Sequence, residues 1–324
     1  MSESSHERLG NDSHLKRYNN LLDMIGDKEN PTPIVALHHI SLNPDAQIFV
    51  KLEWMNAFGS IKDRPAKWML DKLEERGELG TRTVVEATSG NTGIALAAIA
   101  SLMGKEMIAT APHNLSPEKL ALLRMFGAEV IHTPKVDAAG RHPMDVAFSM
   151  ADAIVAASDD GCVMPNQYDN PDNPLAHYET TGPEIWAQTE GKIDYFFAGF
   201  GTCGTVVGTG RYLKEQNPNI KVIGIEPRPG HHISGLKNMT ETAEPGNLTR
   251  NRDVVDEIVY VDDAETDETV LKVYREEALM IGPSASAILA GALKYMADKD
   301  GIAVVIAPDS GQKAASYLMA VLGM

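Results

Sequence analysis

The feature that most constrains the fold is an alternation of short β-type runs with helical runs along most of the chain. "TVVEAT" leads into "NTGIALAAIASLMG", "KEMIATA" into "SPEKLALLRMFG", and "AEVIHTP" into "PMDVAFSMADAIVAA". Further on, "IDYFFAGFG" leads into "TVVGTGRYLKEQ", "KVIGIEP" follows, and "IAVVIAP" leads into "GQKAASYLMAVLG". Strands that are apolar throughout need cover on both faces, and the intervening helices supply it. The expected class is therefore α/β, with mostly parallel sheets covered by helices. Punctuation agrees: Ser116-Pro117-Glu118 reads as an N-cap, a first-turn proline and an early acid, and Gly127 closes that helix. "SIKDRPAKWMLDKLEERG" places Ala66, Met69, Leu70 and Leu73 on one helical face and stops at Gly77. The first ~15 residues read as a mobile tail, and "EPRPGHHISGLKNMTETAEPGNLTRNRD" is the main irregular stretch.

A chain of 324 residues has room for one large domain or two lobes. Lys+Arg 29 against Asp+Glu 45 gives a net charge of -16, which argues against nucleic acid or an anionic membrane as partner. Cys162 and Cys203 form no disulfide framework and no metal-ligand spacing, so no metal is expected. The start lacks the apolar core of a signal peptide, and no apolar run reaches the ~20 residues of a membrane span. A reducing cytoplasm is the expected location.

Three turns carry the chemistry. The first, "AGFGTCGTVVGTGRYL", spaces Gly199, Gly201 and Gly204 as G-x-G-x-x-G between a strand and a helix. Glu226 ends the next strand where a ribose-binding acid would lie, so a nicotinamide dinucleotide fits this turn. The phosphate of pyridoxal phosphate fits it as well, and so does a plain tight turn with no ligand. The second, "EATSGNTGIAL", brings Thr88, Ser89, Gly90, Asn91 and Thr92 to a helix start, where hydroxyls and free amides suit a carboxylate or phosphate. One capping residue would suffice for the helix alone. The third, "NAFGSIKDRPAKW", puts Lys62 at a helix start, where the positive end of the dipole would lower its pKa and favour a nucleophilic amine. Lys51, Lys67 and Lys72 read as solvated surface lysines.

Together these residues resemble the cysteine synthase and cystathionine β-synthase group of pyridoxal-phosphate enzymes, with the tryptophan-synthase-β-like fold. "GSIKDRPA" is similar to the cofactor-lysine motif, "TSGNTG" to the substrate-carboxylate loop and "GTCGT" to the phosphate cradle. "GPSAS" resembles the segment facing the pyridine nitrogen, and "NQYDNPDN" a further substrate-side loop. The motifs stand in the family's order from about residue 20 onward, and the set outweighs the dinucleotide reading.

The resemblance implies a two-lobed fold-type II enzyme, with residues 54–163 as a smaller mobile lobe and residues 1–53 with 164–324 as a larger one. It implies that Lys62 forms the Schiff base and that Asn91 meets the phenolic oxygen. Gly201, Thr202, Cys203, Gly204 and Thr205 would hold the phosphate, and Ser284 would face the ring nitrogen. Thr88, Ser89, Thr92 and Gln167 would bind the substrate carboxylate. A neutral serine at the ring nitrogen makes a shallower electron sink than an aspartate, which favours loss of a β-leaving group. The implied reaction is β-replacement: O-acetyl-L-serine and sulfide give L-cysteine, in a homodimer. O-phospho-L-serine, a cystathionine β-synthase-like activity, β-elimination, a dehydrogenase and a non-catalytic regulatory paralogue are the alternatives. Arg228, His231, His232 and Lys237 form a basic loop with little local acid, and Lys237 falls where phosphoserine-using members carry a cation. Three positions depart from the family pattern: Cys203 where glycine or threonine is usual, Ser286 where glycine is usual, and Ala314 where an aromatic residue is common.

Overall fold

The computed structural model describes residues 16–41, 43–88, 90–135, 141 and 143–324. The N-terminal fifteen residues read above as a tail, and Ser89, lie outside the described residues. In chain order the described strands are β1 (Ile34–Ala36), β2 (Ala46–Leu52), β3 (Thr83–Ala87), β4 (Met107–Ala111) and β5 (Glu129–His132). They continue with β6 (Cys162–Val163), β7 (Tyr195–Gly199), β8 (Lys221–Pro227), β9 (Glu257–Val261) and β10 (Gly301–Ala307). They form two sheets, a six-stranded one in the order β1-β2-β10-β7-β8-β9 and a four-stranded one in the order β5-β4-β3-β6. Every pairing is parallel except the β1–β2 hairpin. The last strand, β10, is inserted between β2 and β7. That central place is why "IAVVIA" is apolar at every position and why Ala303 through Ala307 are buried.

The helices are α1 (Asp63–Glu75), α2 (Asn91–Leu102), α3 (Pro117–Met125), α4 (Pro143–Ala157), α5 (Asp172–Glu179) and α6 (Thr181–Gln188). After them come α7 (Gly204–Gln216), α8 (Gly246–Thr249), α9 (Asp263–Lys272), α10 (Pro283–Tyr295) and α11 (Ala315–Val321). As the spacing predicts, α1 buries Ala66, Met69, Leu70 and Leu73 and is followed by Gly77 in the left-handed region. Helix α2 is buried on almost all sides, so its run of small and apolar residues fills the space beside the four-stranded sheet. Ser116 does sit at the N-cap of α3, but its side chain makes no capping bond. Its hydroxyl is buried without a partner among the described residues.

One sequence reading is overturned. Lys67 and Lys72 are partly exposed partners of Asp71 and Glu75, but Lys51 is fully buried. Its ammonium donates to Glu184 Oε2 at 2.5 Å, the Thr32 carbonyl at 2.7 Å and Gln188 Oε1 at 2.9 Å. Arg64, in the first turn of α1, grips Glu53 through Nε at 2.7 Å and Nη2 at 2.8 Å, and meets Glu184 through Nη1 at 2.5 Å. Burial pushes the Glu53 carboxyl up, but the charge and hydrogen bonds of Arg64, helped by Lys51, bring it down to about 2. Burial lowers the Lys51 pKa, against the charges of Glu184 and Glu53, and the four side chains form one buried ionic network. The quartet ties the start of α1 to the end of β2 and to α6.

Candidate active site

A cavity of about 870 Å³ opens where both sheets present the carboxyl ends of their strands. Thr88 after β3, Pro112 after β4, Gly199 ending β7, Pro227 ending β8 and Pro308 after β10 all line it. Ligands of parallel α/β sheets gather at this edge, because helix N-termini and loops follow the strands there.

Lys62 lines the cavity at the N-cap of α1. The turn before it is stitched to the end of β10: Ser60 bridges Asp309, and the Ile61 amide donates to the Pro308 carbonyl at 2.8 Å. The Lys62 amine makes no hydrogen bond with any described residue. Burial lowers its pKa, and the carboxylate of Asp309 partly opposes that. Burial is thus the main cause of the depression anticipated from the helix dipole. A lowered pKa raises the share of free amine, the form that acts as nucleophile and base. Next to it, burial raises the Asp63 carboxyl to about 7, against Lys313 and the bonds from Phe58 N at 2.6 Å and Ser60 Oγ at 3.2 Å.

The second turn opens α2. Thr88 Oγ1 accepts from the Gly90 and Gly93 amides at 3.2 and 3.0 Å, which leaves its own hydrogen to donate elsewhere. Thr92 donates to Gln167 Oε1 at 2.6 Å, so two of the residues expected at the carboxylate are already paired with each other. The Asn91 and Thr92 amides have no acceptor among the described residues. Gln167 is held in place by Glu86, whose carboxylate accepts from the Asn166 and Gln167 amides at 2.9 and 3.1 Å.

The third turn opens α7. None of the amides from Gly201 to Thr205 donates to a described acceptor, and Cys203 adopts the left-handed region at φ 61°. A left-handed residue between right-handed ones aligns successive N–H groups into an anion-binding nest. That conformation is one glycine adopts without strain, and here Cys203 adopts it. A Cβ on Gly204 would lie 1.9 Å from Asn173 Oδ1, so the residue must be glycine for α5 to pack on the nest. Burial pushes the Cys203 thiol up to about 12, which leaves the side chain inert and its backbone as its contribution. Glu226 does not line the cavity, and its carboxylate accepts from the Met239 amide at 3.1 Å instead of awaiting a ribose.

Ser284, in the first turn of α10, lines the cavity, and α10 runs unbroken through Ser286. The Ser286 departure therefore leaves the backbone beside Ser284 helical. Ala314 is buried in a short helical turn before α11. Lys237 lines the cavity with its ammonium 4.0 Å from the centre of the Tyr168 ring, and burial lowers its pKa. The rest of the basic loop is less free of acid than its sequence suggests. Arg228 pairs with Asp262 at 3.8 Å, and His231 Nδ1 meets Asp263 Oδ2 at 3.0 Å.

Four residues at or behind the cavity were not singled out in the sequence, although Asn173 ends the quoted "NQYDNPDN" stretch. Asp309 accepts from Asn91 Nδ2 at 2.6 Å and so joins the α2 turn to the end of β10. Lys119 on α3 reaches across the cleft to Ser234 Oγ at 3.2 Å. Asn173 and His177 on α5 back the third turn. Only Asp309 had a usable signal, since an acid just after a parallel strand lies at the ligand edge.

The arrangement fits pyridoxal phosphate on this chain's own features. A desolvated lysine, a nest with free amides, a buried Asn91 Oδ1 without a described partner and the Ser284 hydroxyl share one cavity. The chain belongs to the family of pyridoxal-phosphate-dependent enzymes, whose model matches residues 25–309. Within that family it falls in the cysteine synthase and cystathionine β-synthase group. It is 38% identical over 284 residues to cysteine synthase B of Escherichia coli, covering 87% of this chain and 91% of that one. It is 40% identical over 280 residues to cysteine synthase 3 of Caenorhabditis elegans, covering 83% and 80%. The crystal structure of a cysteine synthase from Entamoeba histolytica superposes with a TM-score of 0.84 at 28% identity, covering 98% of this chain and 99% of that one. The fold-type II class expected from the motifs holds, and the cofactor is pyridoxal phosphate. Among the described residues no helix is long and apolar enough to cross a membrane.

Proposed function

We propose that the chain is a cysteine synthase that converts O-acetyl-L-serine and sulfide into L-cysteine and acetate. The observation that carries this reading is the convergence of the desolvated Lys62 amine, the α2 turn and the amide nest at α7 in one cavity. In this reading Gly201, Thr202, Cys203, Gly204 and Thr205 hold the cofactor phosphate. Ser284 faces the ring nitrogen, and Asn91 meets the phenolic oxygen with the N–H that Asp309 leaves free. Thr88, Ser89, Thr92 and Gln167 bind the substrate carboxylate.

When bound, the cofactor supplies an electrophilic carbonyl for the substrate amine and a conjugated ring that acidifies the α-carbon. Lys62 then takes the α-proton as general base, and its burial supplies the lowered pKa this needs. Acetate leaves the β-carbon with the electrons of its C–O bond, and sulfide forms the C–S bond. The Lys62 ammonium returns a proton to the α-carbon. Residues 54–163 act as the smaller lobe, and the Lys119–Ser234 bond across the cleft supports closure that excludes water. We assign a homodimer in the cytoplasm, the first checked by sedimentation equilibrium.

The experiment is a steady-state comparison of O-acetylserine, O-phosphoserine and serine, each with sulfide and with homocysteine. Cystathionine from serine and homocysteine, with no cysteine from any donor, would overturn the proposal. The cavity-facing ammonium of Lys237 favours one second reading, in which O-phosphoserine is the donor. A selective fall in phosphoserine turnover in Lys237→Ala supports it. Equal ratios of the two donors before and after the change remove it.

A further inference from the structure

Helix α5 carries none of the residues expected to hold substrate or cofactor, yet it sends two side chains, one helical turn apart, against the α7 nest. Asn173 Nδ2 donates to the Gln167 carbonyl at 2.6 Å and to Thr202 Oγ1 at 3.1 Å. His177 lies between two hydroxyls, with Nδ1 2.9 Å from Thr181 Oγ1 and Nε2 3.3 Å from Thr205 Oγ1. The imidazole is 1% exposed. Its place is fixed by close packing, because a Cβ on Gly208 would lie 1.9 Å from the Pro174 carbonyl and 2.9 Å from His177 Cβ. We propose that His177 is a positioning residue for the cofactor phosphate. It is held as the Nε2–H tautomer and donates to Thr205 Oγ1, so that the Thr205 O–H is left to point at the phosphate.

The argument is one of donors and acceptors. A neutral imidazole has one N–H and one lone pair, and a hydroxyl has one hydrogen to donate. Two chains are therefore open between Thr181, His177 and Thr205. In one, Thr205 donates to Nε2 and presents only lone pairs to the cavity, which repels an anion. In the other, Thr181 donates to Nδ1, Nε2–H donates to Thr205, and the Thr205 hydrogen is free for an anion. Only the second chain serves a phosphate. Burial, with the charges of Arg64 and Lys62 adding to it, pushes the imidazole pKa down to about 3, so the ring has the single N–H on which the argument depends.

This inference rests on the reading that residues 201–205 hold the phosphate, and the test separates the two. Cofactor binding is measured by titrating apoprotein with pyridoxal phosphate, alongside the ³¹P shift of the bound cofactor and the melting of the apoprotein. The variants are Thr205→Val, His177→Leu, His177→Gln and the Thr205→Val/His177→Leu double. Losing one bond to a charged group weakens binding by about tenfold to a hundredfold. That loss is expected in Thr205→Val and in His177→Leu, with no further loss in the double. His177→Gln, whose amide nitrogen reaches the place of Nε2, should recover most of it. The ³¹P shift of His177→Leu should follow that of Thr205→Val. In wild-type holoprotein, ¹⁵N spectra should show the proton on Nε2. A proton on Nδ1 overturns the inference, and so does a His177→Leu protein that melts lower but binds cofactor normally. If Thr205→Val itself leaves cofactor binding unchanged, the phosphate reading falls first, and the role of His177 with it.

Discussion

Gly204→Ala tests the assembly of the cradle most directly. The added Cβ would lie 1.9 Å from Asn173 Oδ1, 2.5 Å from its Cγ and 2.9 Å from its Nδ2. Ordinary contact begins near ~3.5 Å, so the Asn173 amide must retreat by about 1.5 Å. It cannot do so and keep its bonds to the Gln167 carbonyl and Thr202 Oγ1. Two buried hydrogen bonds at about 1 kcal/mol each, with about 1–3 kcal/mol of overpacking, give a total of about 3–5 kcal/mol. Because Thr202 and Gln167 both form the cavity wall, part of this cost falls on cofactor binding and part on stability. We expect pyridoxal phosphate to bind at least ~30-fold more weakly, which corresponds to about 2 kcal/mol. The assay is a titration of apoprotein followed by visible absorbance, with apoprotein melting measured in parallel. Gly210→Ala is the control on the same helix. Its Cβ would press on Val254 Cγ1 at 2.8 Å, away from the cavity, and should lower the melting temperature without weakening cofactor binding. A Gly204→Ala protein that binds cofactor within about twofold of wild type would refute the reasoning.

Lys62→Ala should fold normally by circular dichroism yet lose borohydride-fixable cofactor and all turnover; covalent labelling elsewhere would displace Lys62 from its role. Asp309→Asn removes the carboxylate that raises the Lys62 pKa. The pH profile of cofactor capture by apoprotein should therefore move to lower pH, and an upward shift refutes the electrostatic account. His177 has its pKa lowered from 6.5 to about 3, so its contribution to stability is present above pH ~6.5 and is lost as pH falls toward 3. The full loss is at most about 5 kcal/mol. Asp63 and Glu86, both raised to about 7, act oppositely, favouring the fold as pH falls below 7. The His177 share is therefore read as the stability of wild type minus that of His177→Gln, which should fall as the pH drops from about 6.5 toward 3; a constant difference refutes it.

The parallel sheets were legible because most of their strands are apolar and most are followed by a helix with its own stop. The β1–β2 hairpin was not, since a three-residue edge strand carries too little pattern to detect. Nor was the insertion of β10 between β2 and β7, which only long-range pairing decides. The three turns could be read because a polar cluster or a lysine at a helix start is chemically odd in itself. His177 and Asn173 look ordinary on α5, and their meaning comes from how closely α7 approaches, through Gly204 and Gly208. Lys51 misled because a lysine reads by default as a solvated surface residue. Its partner Glu184 is 133 residues away.

The buried quartet of Lys51, Glu53, Arg64 and Glu184 bears on how such a chain changes over evolutionary time. Loss of any one member strands a charge in the interior, at a cost of about 3–5 kcal/mol, while replacement of the whole set by well-packed apolar side chains can be neutral. The four positions therefore form a single heritable character, crossed all together or not at all. Arg64 stands two residues from Lys62, so drift at Lys51 or Glu184 is felt at the turn that carries the Lys62 amine. A substitution at any one of the four is tolerated only together with changes at the others.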